Sequence, residues 1–299
     1  MGVRTSLTRP EQRHVVAWTW ALLVANTVII LTGGLVRLTS SGLGCPTWPR
    51  CTEQSYTPHA ELGLHGAIEF GNRLLTYVLI AVAIAAVVAV RRWAGATAGQ
   101  RRLVVLLALG LPFQGVIGGI TVLTQLNPWV VALHLLLSMA LVAGSTVLLL
   151  GVRGTTADTA HRGLAVVTYA VIWVTVYLGT VVTGSGPHAG DEKAVRTGLD
   201  PHVMSHVHAA SVYVLLAVTL LLVWRSRGTA LGVAATWLFA AELGQGVIGF
   251  VQYFTDLPIA LVAVHLVGAA ILVALGTRVL LLGTGRRVDQ PLAAATPGR

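Results

Sequence analysis

The chain has 299 residues, 55% of them hydrophobic and 10% charged, with a mean hydropathy of +0.77. That balance excludes a soluble globular domain and points to an all-α polytopic membrane protein. A net charge of +9 and a pI near 10.5 would suit nucleic acid, but the arginines are spread between apolar runs rather than gathered in a patch, so no nucleic acid partner is expected.

Eight runs are long enough to cross about 30 Å of hydrocarbon. They fall at residues 15–38, 64–90, 102–124, 129–151, 163–183, 203–224, 229–253 and 258–281. The first is too long for a cleavable signal and lacks a small-residue cleavage site, so it reads as a retained helix. Arg4, Arg9, Arg13, Arg91, Arg92, Arg101, Arg102, Arg153, Arg162, Arg225, Arg227, Arg278, Arg286 and Arg287 occupy every second connecting segment or the termini. Glu53, Glu61, Asp191, Glu192, Asp200 and Asp256 occupy the others. This is the positive-inside pattern, which puts both termini in the cytoplasm and the chain in the cell membrane, among the lipids of the bilayer. Two outer segments are long, 39–63 and 184–202, and two are short turns near Asn127–Pro128 and Asp256–Pro258. The Ala/Pro/Gly-rich tail at 288–299 is expected to be disordered.

Internal repetition organises the chain. Gln114-Gly115-Val116-Ile117-Gly118 recurs as Gln245-Gly246-Val247-Ile248-Gly249, and His134-Leu135 as His265-Leu266, both at an offset of 131 residues. Thr124 and Thr255 share that offset, and Tyr77-Val78-Leu79 recurs as Tyr213-Val214-Leu215 at an offset of 136. Gly34 and Gly179 sit in similar GxV contexts. The expectation is eight transmembrane helices in two pseudo-symmetric four-helix bundles, 15–151 and 163–281, related by an axis along the membrane normal.

Superposing the halves puts His265 over His134, His208 over Asn72 and Ser205 over Glu69. His134 and His265 lie roughly 7–10 Å below the outer ends of their helices. Two imidazoles facing each other from neighbouring helices of a bundle can hold a haem iron axially, so the repeat predicts two haem sites toward the outer face. A single histidine in an apolar helix is ordinarily a hydrogen-bonded packing residue; recurrence in register is what favours ligation. The Tyr-Val-Leu register selects His208 over its neighbour His206. His188 and His202 read as solvated, and His14, His59 and His161 carry no role.

The segment Leu64–Val78 carries His65, Glu69, Asn72 and Arg73 on a membrane helix, where each polar group is costly. His65, Glu69 and Asn72 are spaced to share one face. Glu69 either pairs with Arg73 at i+4 as a structural carboxylate, or points at a ligand while Arg73 neutralises an anion such as a haem propionate. Ser205 cannot ionise, so the first half is the candidate for proton chemistry and the second for electron transfer. The only cysteines, Cys45 and Cys51, lie in CPTWPRC on the outer side. No histidine or second cysteine pair joins them, so a local disulfide is favoured over a metal site, as a labile redox pair or a staple. Gly33-Gly34, Gly118-Gly119 and Gly249 permit close helix approach and make room for a macrocycle. A di-haem quinol-type electron carrier and a transporter of parallel repeats are the other classes open; neither needs the CPTWPRC loop.

TGGLVRLTSSGLGCPTWPRC at Thr32–Cys51 resembles the first outer loop of the heme A synthase family. EFGNR at Glu69–Arg73, QGVIGG followed by His134, and the closing His265 are similar to the family's other landmarks, so the resemblance covers nearly all of 15–281. It implies oxidation of the C8 methyl of heme O to the formyl group of heme A, through an alcohol and then a gem-diol, for cytochrome oxidase. It implies a b-type haem on His208 and His265, a substrate haem ligated by His134, an essential glutamate at Glu69, and a pair at Cys45 and Cys51. Heme O synthase and cytochrome oxidase assembly factors are the partners it implies. One departure stands out: many members carry histidine where this chain has Asn72. Either His65 supplies the second substrate ligand from higher on the same face, or Asn72 leaves that iron held by His134 alone or by His134 and water.

Overall fold

The computed structural model describes residues 10–154 and 157–285. The tail at 288–299 and Arg4, Arg9, Arg286 and Arg287 lie outside these residues. Among the described residues there are eight helices long and apolar enough to cross a membrane, and no strand. They are α1 (Gln12–Leu38), α2 (Gly63–Arg92), α3 (Ala98–Leu123), α4 (Pro128–Arg153), α5 (Arg162–Ser185), α6 (Pro201–Arg225), α7 (Ala230–Phe254) and α8 (Ile259–Thr284).

The helix starts follow from local chemistry. Thr97 and Gln100 close a capping box, each side chain accepting from the other residue's backbone N–H, so α3 begins four residues before its apolar run. Asp200 accepts from the backbone N–H groups of His202 and Val203 ahead of Pro201, and Asn127 accepts from Trp129 N–H ahead of Pro128. The turns joining α3 to α4 and α7 to α8 are the same turn. Gln125 and Leu126 take φ of 52° and 58°, and Asp256 and Leu257 take 56° and 57°. Leu126 N–H donates to Thr121 carbonyl at 2.8 Å, and Leu257 N–H to Gln252 carbonyl at 3.0 Å. The repeat seen in the helices thus extends to backbone geometry.

Each set of four helices closes into a ring. In the first, α1 packs on α2, α2 on α3, α3 on α4 and α4 back on α1; α5 to α8 close in the same order. Between the rings, α4 packs on α8, α1 on α8 and α4 on α5, which is the set a two-fold axis beside α4 and α8 generates. One apolar core of Leu22, Leu79, Ala83, Val104, Leu107 and Leu148 fills the first ring. A second, with Ile172, Leu215, Leu222, Leu231, Leu238 and Val273, fills the other and takes in Leu23, Ile30, Met139 and Val142 of α1 and α4, so it also seals the seam. Asn26 donates to the Leu22 carbonyl at 3.0 Å and to Ser145 Oγ at 3.3 Å, a polar tie between α1 and α4.

The two long loops, residues 39–62 and 186–200, lie at the same end and pack on each other. Gly42 N–H donates to the Gly190 carbonyl at 2.8 Å, and Leu126 packs with Ala189 and Ala194 beneath them. We call this the loop end. The even-numbered helices all start from it.

Candidate functional site

Each even-numbered helix presents one polar side chain to a glycine on the preceding helix. A Cβ built on Gly118 of α3 would sit 3.4 Å from His134 Cε1, and one on Gly249 of α7 would sit 3.8 Å from His265 Cε1. On Gly179 of α5 it would meet His208 Cε1 at 3.3 Å, and on Gly33 of α1 it would meet Asn72 Nδ2 at 3.9 Å. The glycines let the imidazoles lie directly against the backbone of the preceding helix, most tightly at Gly179. His134 and His265 are each the seventh residue of their helices, His208 the eighth and Asn72 the tenth, so the four positions form one layer near the loop end.

The three imidazoles are not ordinary packing histidines. The Nδ1 atoms of His134 and His265 are buried with no hydrogen-bond partner, and that of His208 is buried in a ring that has the Thr175 backbone of α5 within reach. Buried polar nitrogens are normally paired, so two orphans at equivalent positions of the repeat need another explanation. Among the described residues no group of three or more His, Cys, Asp or Glu could hold a bare metal ion. Paired imidazoles at the end of a bundle could ligate an iron whose other ligands come with a macrocycle.

The ring order alters one expectation. His208 on α6 and His265 on α8 do not come from neighbouring helices: α6 and α8 make no close approach and stand diagonally across their ring. The same is true of α2 and α4, which carry Asn72 and His134. Diagonal helices leave the bundle axis between the two side chains, which is where a planar group would lie. The central helices α4 and α8 pack directly on each other, so the two sites share a wall.

Glu69, only 5% exposed, anchors the cysteine loop. Its Oε2 accepts from Cys45 N–H at 2.6 Å, and its Oε1 accepts from Arg73 Nε at 3.2 Å and Nη2 at 2.5 Å. Arg73 also donates from Nη2 to the carbonyls of Cys45 and Thr47, both at 3.1 Å, and from Nη1 to that of Arg50 at 3.3 Å. The Glu69–Arg73 pairing read from the i+4 spacing is therefore present, while the donors expected to meet an anionic ligand are engaged with the loop. Cys45 and Cys51 form a disulfide, and both residues are fully buried rather than exposed. Trp48 of the same loop lies against Gly119, where a Cβ would collide with its indole, next to the glycine that faces His134. Gly44 passes close over the backbone of His65 and Gly66. The loop is thus a lid seated on the starts of α2 and the end of α3.

His65 is exposed in the first turn of α2 and its Nδ1 hydrogen-bonds Ser41 Oγ at 2.9 Å. Asn72 lies deeper, its Oδ1 accepting from Thr32 Oγ1 at 2.8 Å. Ser205 donates to the Pro201 carbonyl. His206 is exposed and stacks on His202, whose ring also meets the Tyr253 hydroxyl at 3.0 Å, so the two form a surface cluster apart from His208. His188 is half-buried and meets the Leu257 carbonyl at 3.0 Å, fastening the second loop to the α7–α8 turn rather than facing solvent. Gln114 donates to the His134 carbonyl and to Ser138, bracing α3 on α4 beside that histidine.

Two residues escaped the sequence reading. Glu242 in the middle of α7 is 1% exposed; Oε1 accepts from Thr219 Oγ1 at 2.9 Å and Oε2 has no partner. A lone acid within an apolar run was the available signal. Arg37 near the end of α1 reaches across the seam and donates from Nη2 to the Thr183 carbonyl of α5. An arginine at the outer end of a helix, against the positive-inside pattern, was the available signal.

A family model described as cytochrome oxidase assembly protein matches residues 16–277. The chain is 31% identical to the heme A synthase of Geobacillus kaustophilus over a stretch covering 38% of this chain and 35% of that relative. To the heme A synthase of Methylorubrum extorquens it is 30% identical, covering 59% of this chain and 56% of the relative. To that of Parvibaculum lavamentivorans it is 27% identical, covering 86% and 91%. The chain thus spans about a third of the length of the Geobacillus relative in the matched stretch.

Proposed function

The chain belongs to the cytochrome oxidase assembly protein family, and from that premise we propose that it is a heme A synthase, oxidising the C8 methyl of heme O to the formyl group of heme A through an alcohol. The observation that carries the proposal is the layer of three half-buried imidazoles, each with its Nδ1 turned into the protein and a glycine opposite. In this reading residues 15–151 form the substrate half and residues 163–281 the electron-transfer half. The loop end faces away from the cytoplasm, and both termini are cytoplasmic.

His208 and His265 would hold a b-type haem between the diagonal helices α6 and α8. Such a bis-imidazole haem supplies one-electron transfer when bound. His134 ligates the substrate from α4. Asn72, not His65, stands opposite it: Asn72 shares the layer of the other three positions, whereas His65 sits two turns nearer the helix end and is engaged with Ser41. A carboxamide is a far weaker iron ligand than an imidazole, so the substrate is held firmly on one side only. Glu69 has two roles. It fixes the Cys45 backbone, and it is the one carboxylate in this layer able to take a proton from a methyl under oxidation or orient the water that supplies oxygen. Arg73 pairs with that carboxylate and holds the lid of residues 45–51 over the substrate. Heme O synthase supplies the substrate, and oxidase assembly factors take the product.

Pigments extracted from cells expressing the protein test this directly. Wild type converts heme O to heme A. Glu69→Gln keeps the size and one accepting oxygen for Arg73, loses the acceptor for Cys45 N–H, and cannot act as a base; heme A is expected to fall by about 100-fold, within the usual range for loss of a general base. Undiminished heme A in that variant removes Glu69 from the chemistry. Two b haems and no formyl product in the wild type would instead identify a di-haem electron carrier.

A further inference from the structure

Arg37 is a half-buried guanidinium whose neighbours among the described residues leave it without an anion. Its Nη2 donates to the Thr183 carbonyl, and its Nε is buried with no partner. The ion pairs among the described residues are Arg13–Glu11 and Arg73–Glu69, so no carboxylate meets it there. The charged group that acts on it is another cation, Arg196, whose own donors go to the carbonyls of Ala194 and Pro187. A buried cation beside a second cation is costly unless an anion joins them.

The surroundings say where that anion would sit. Arg37 lines a small, partly open cavity of about 20 Å3 with Leu126, Leu135, Thr180, Thr183 and Ala189. Gly190, at φ +104°, passes over its side chain where a Cβ would come within 3.4 Å of Cγ. Thr183 is one turn beyond Gly179, and its hydroxyl donates to the Gly179 carbonyl at 2.7 Å. Gly179 is the glycine that faces His208. From the N-terminal half, Arg37 thus reaches the edge of the C-terminal haem position through one residue. Arg73, by contrast, has partners on Nε, Nη1 and Nη2.

We propose that Arg37 binds a propionate carboxylate of the haem held by His208 and His265, with Arg196 adding positive charge at the mouth of the cavity. This deepens the haem-binding reading of the C-terminal half and rests on it. It makes the b-haem site a property of both halves, because the anion's partner comes from α1.

The test uses full-length protein with Arg37→Gln and Arg37→Lys. Haem-stripped protein is titrated with protohaem and with its dimethyl ester, which lacks both carboxylates, and the midpoint potential of the bound haem is measured. Arg37→Gln is expected to weaken protohaem binding by about tenfold or more, the worth of a charge-assisted hydrogen bond, and to lower the midpoint potential because a positive charge near the iron is gone. Arg37→Lys restores part of both. The ester binds wild type and Arg37→Gln alike. Unchanged protohaem affinity and potential in Arg37→Gln overturn the proposal. So does an equal loss for acid and ester, which marks a packing role or a lipid phosphate as the anion. A wild type that takes up no haem overturns the functional reading, and this inference with it; a haem-replete wild type with an unaltered Arg37→Gln overturns this inference alone.

Discussion

Replacing His208 or His265 with alanine is expected to abolish the low-spin b-type spectrum, while His134→Ala leaves it intact. Six-coordinate low-spin iron needs both imidazoles; His208 and His265 come from diagonal helices of one ring, and the other histidines of α6, His202 and His206, are exposed. The protein should still fold. The Nδ1 of His265 is already buried and unpaired, so truncation there removes an unsatisfied polar atom along with some packing; at His208 the Thr175 backbone also loses a group within its reach. His206→Ala is the control: that ring is exposed and stacked on His202, and its loss leaves the spectrum unchanged. The measurement is the dithionite-reduced absorption spectrum of purified variants, with haem content from pyridine haemochrome. A surviving low-spin signal in His208→Ala would mean that the ligand lies elsewhere on α6.

Much of this arrangement is legible in the chain. Membrane helices declare themselves by length and hydrophobicity, and the 131-residue offset correctly pairs His134 with His265 because it also pairs their flanking glycines and turns. The Thr97–Gln100 box that starts α3 was readable as well, but an apolar run is a stronger signal than a cap and drew the boundary inward. What the sequence did not carry is ring closure. A repeat gives the order of helices, not which of them touch, so it cannot tell that α6 and α8 are diagonal rather than neighbours. Arg73 exposes a second limit. Spacing at i+4 foretells the contact with Glu69, but only the folded lid reveals that the carbonyls of Cys45, Thr47 and Arg50 occupy the rest of the guanidinium. Arg37 is the converse case. Its place at the outer end of a helix, against the positive-inside pattern, is visible in the chain, but only the packing of the second half against it leaves its Nε unpaired.

The other large effect is expected at Arg73. Arg73→Ala leaves the Glu69 carboxylate, whose side chain is 7% exposed, with Cys45 N–H as its remaining partner. Removing one member of a buried ion pair costs about 3–5 kcal/mol, since the other charge stays desolvated. The same change frees three lid carbonyls at once, so the lid should open far more readily than the helices unfold. Both sulfurs of the Cys45–Cys51 bridge belong to fully buried residues, which makes reduction by dithiothreitol a gauge of that opening. In wild type the bridge should resist; in Arg73→Ala the rate of thiol release should rise by on the order of tenfold or more. Arg73→Lys should fall between, because an ammonium keeps the charge but cannot span the carboxylate and the carbonyls as the planar fork does. Glu69→Gln/Arg73→Ala should lose less stability than the two single changes added together, because the neutral amide no longer needs the cation. Equal reduction rates in wild type and Arg73→Ala would show that the lid is held by Trp48 against Gly119 and by the Gly44 crossing, and that the ion pair serves Glu69 alone.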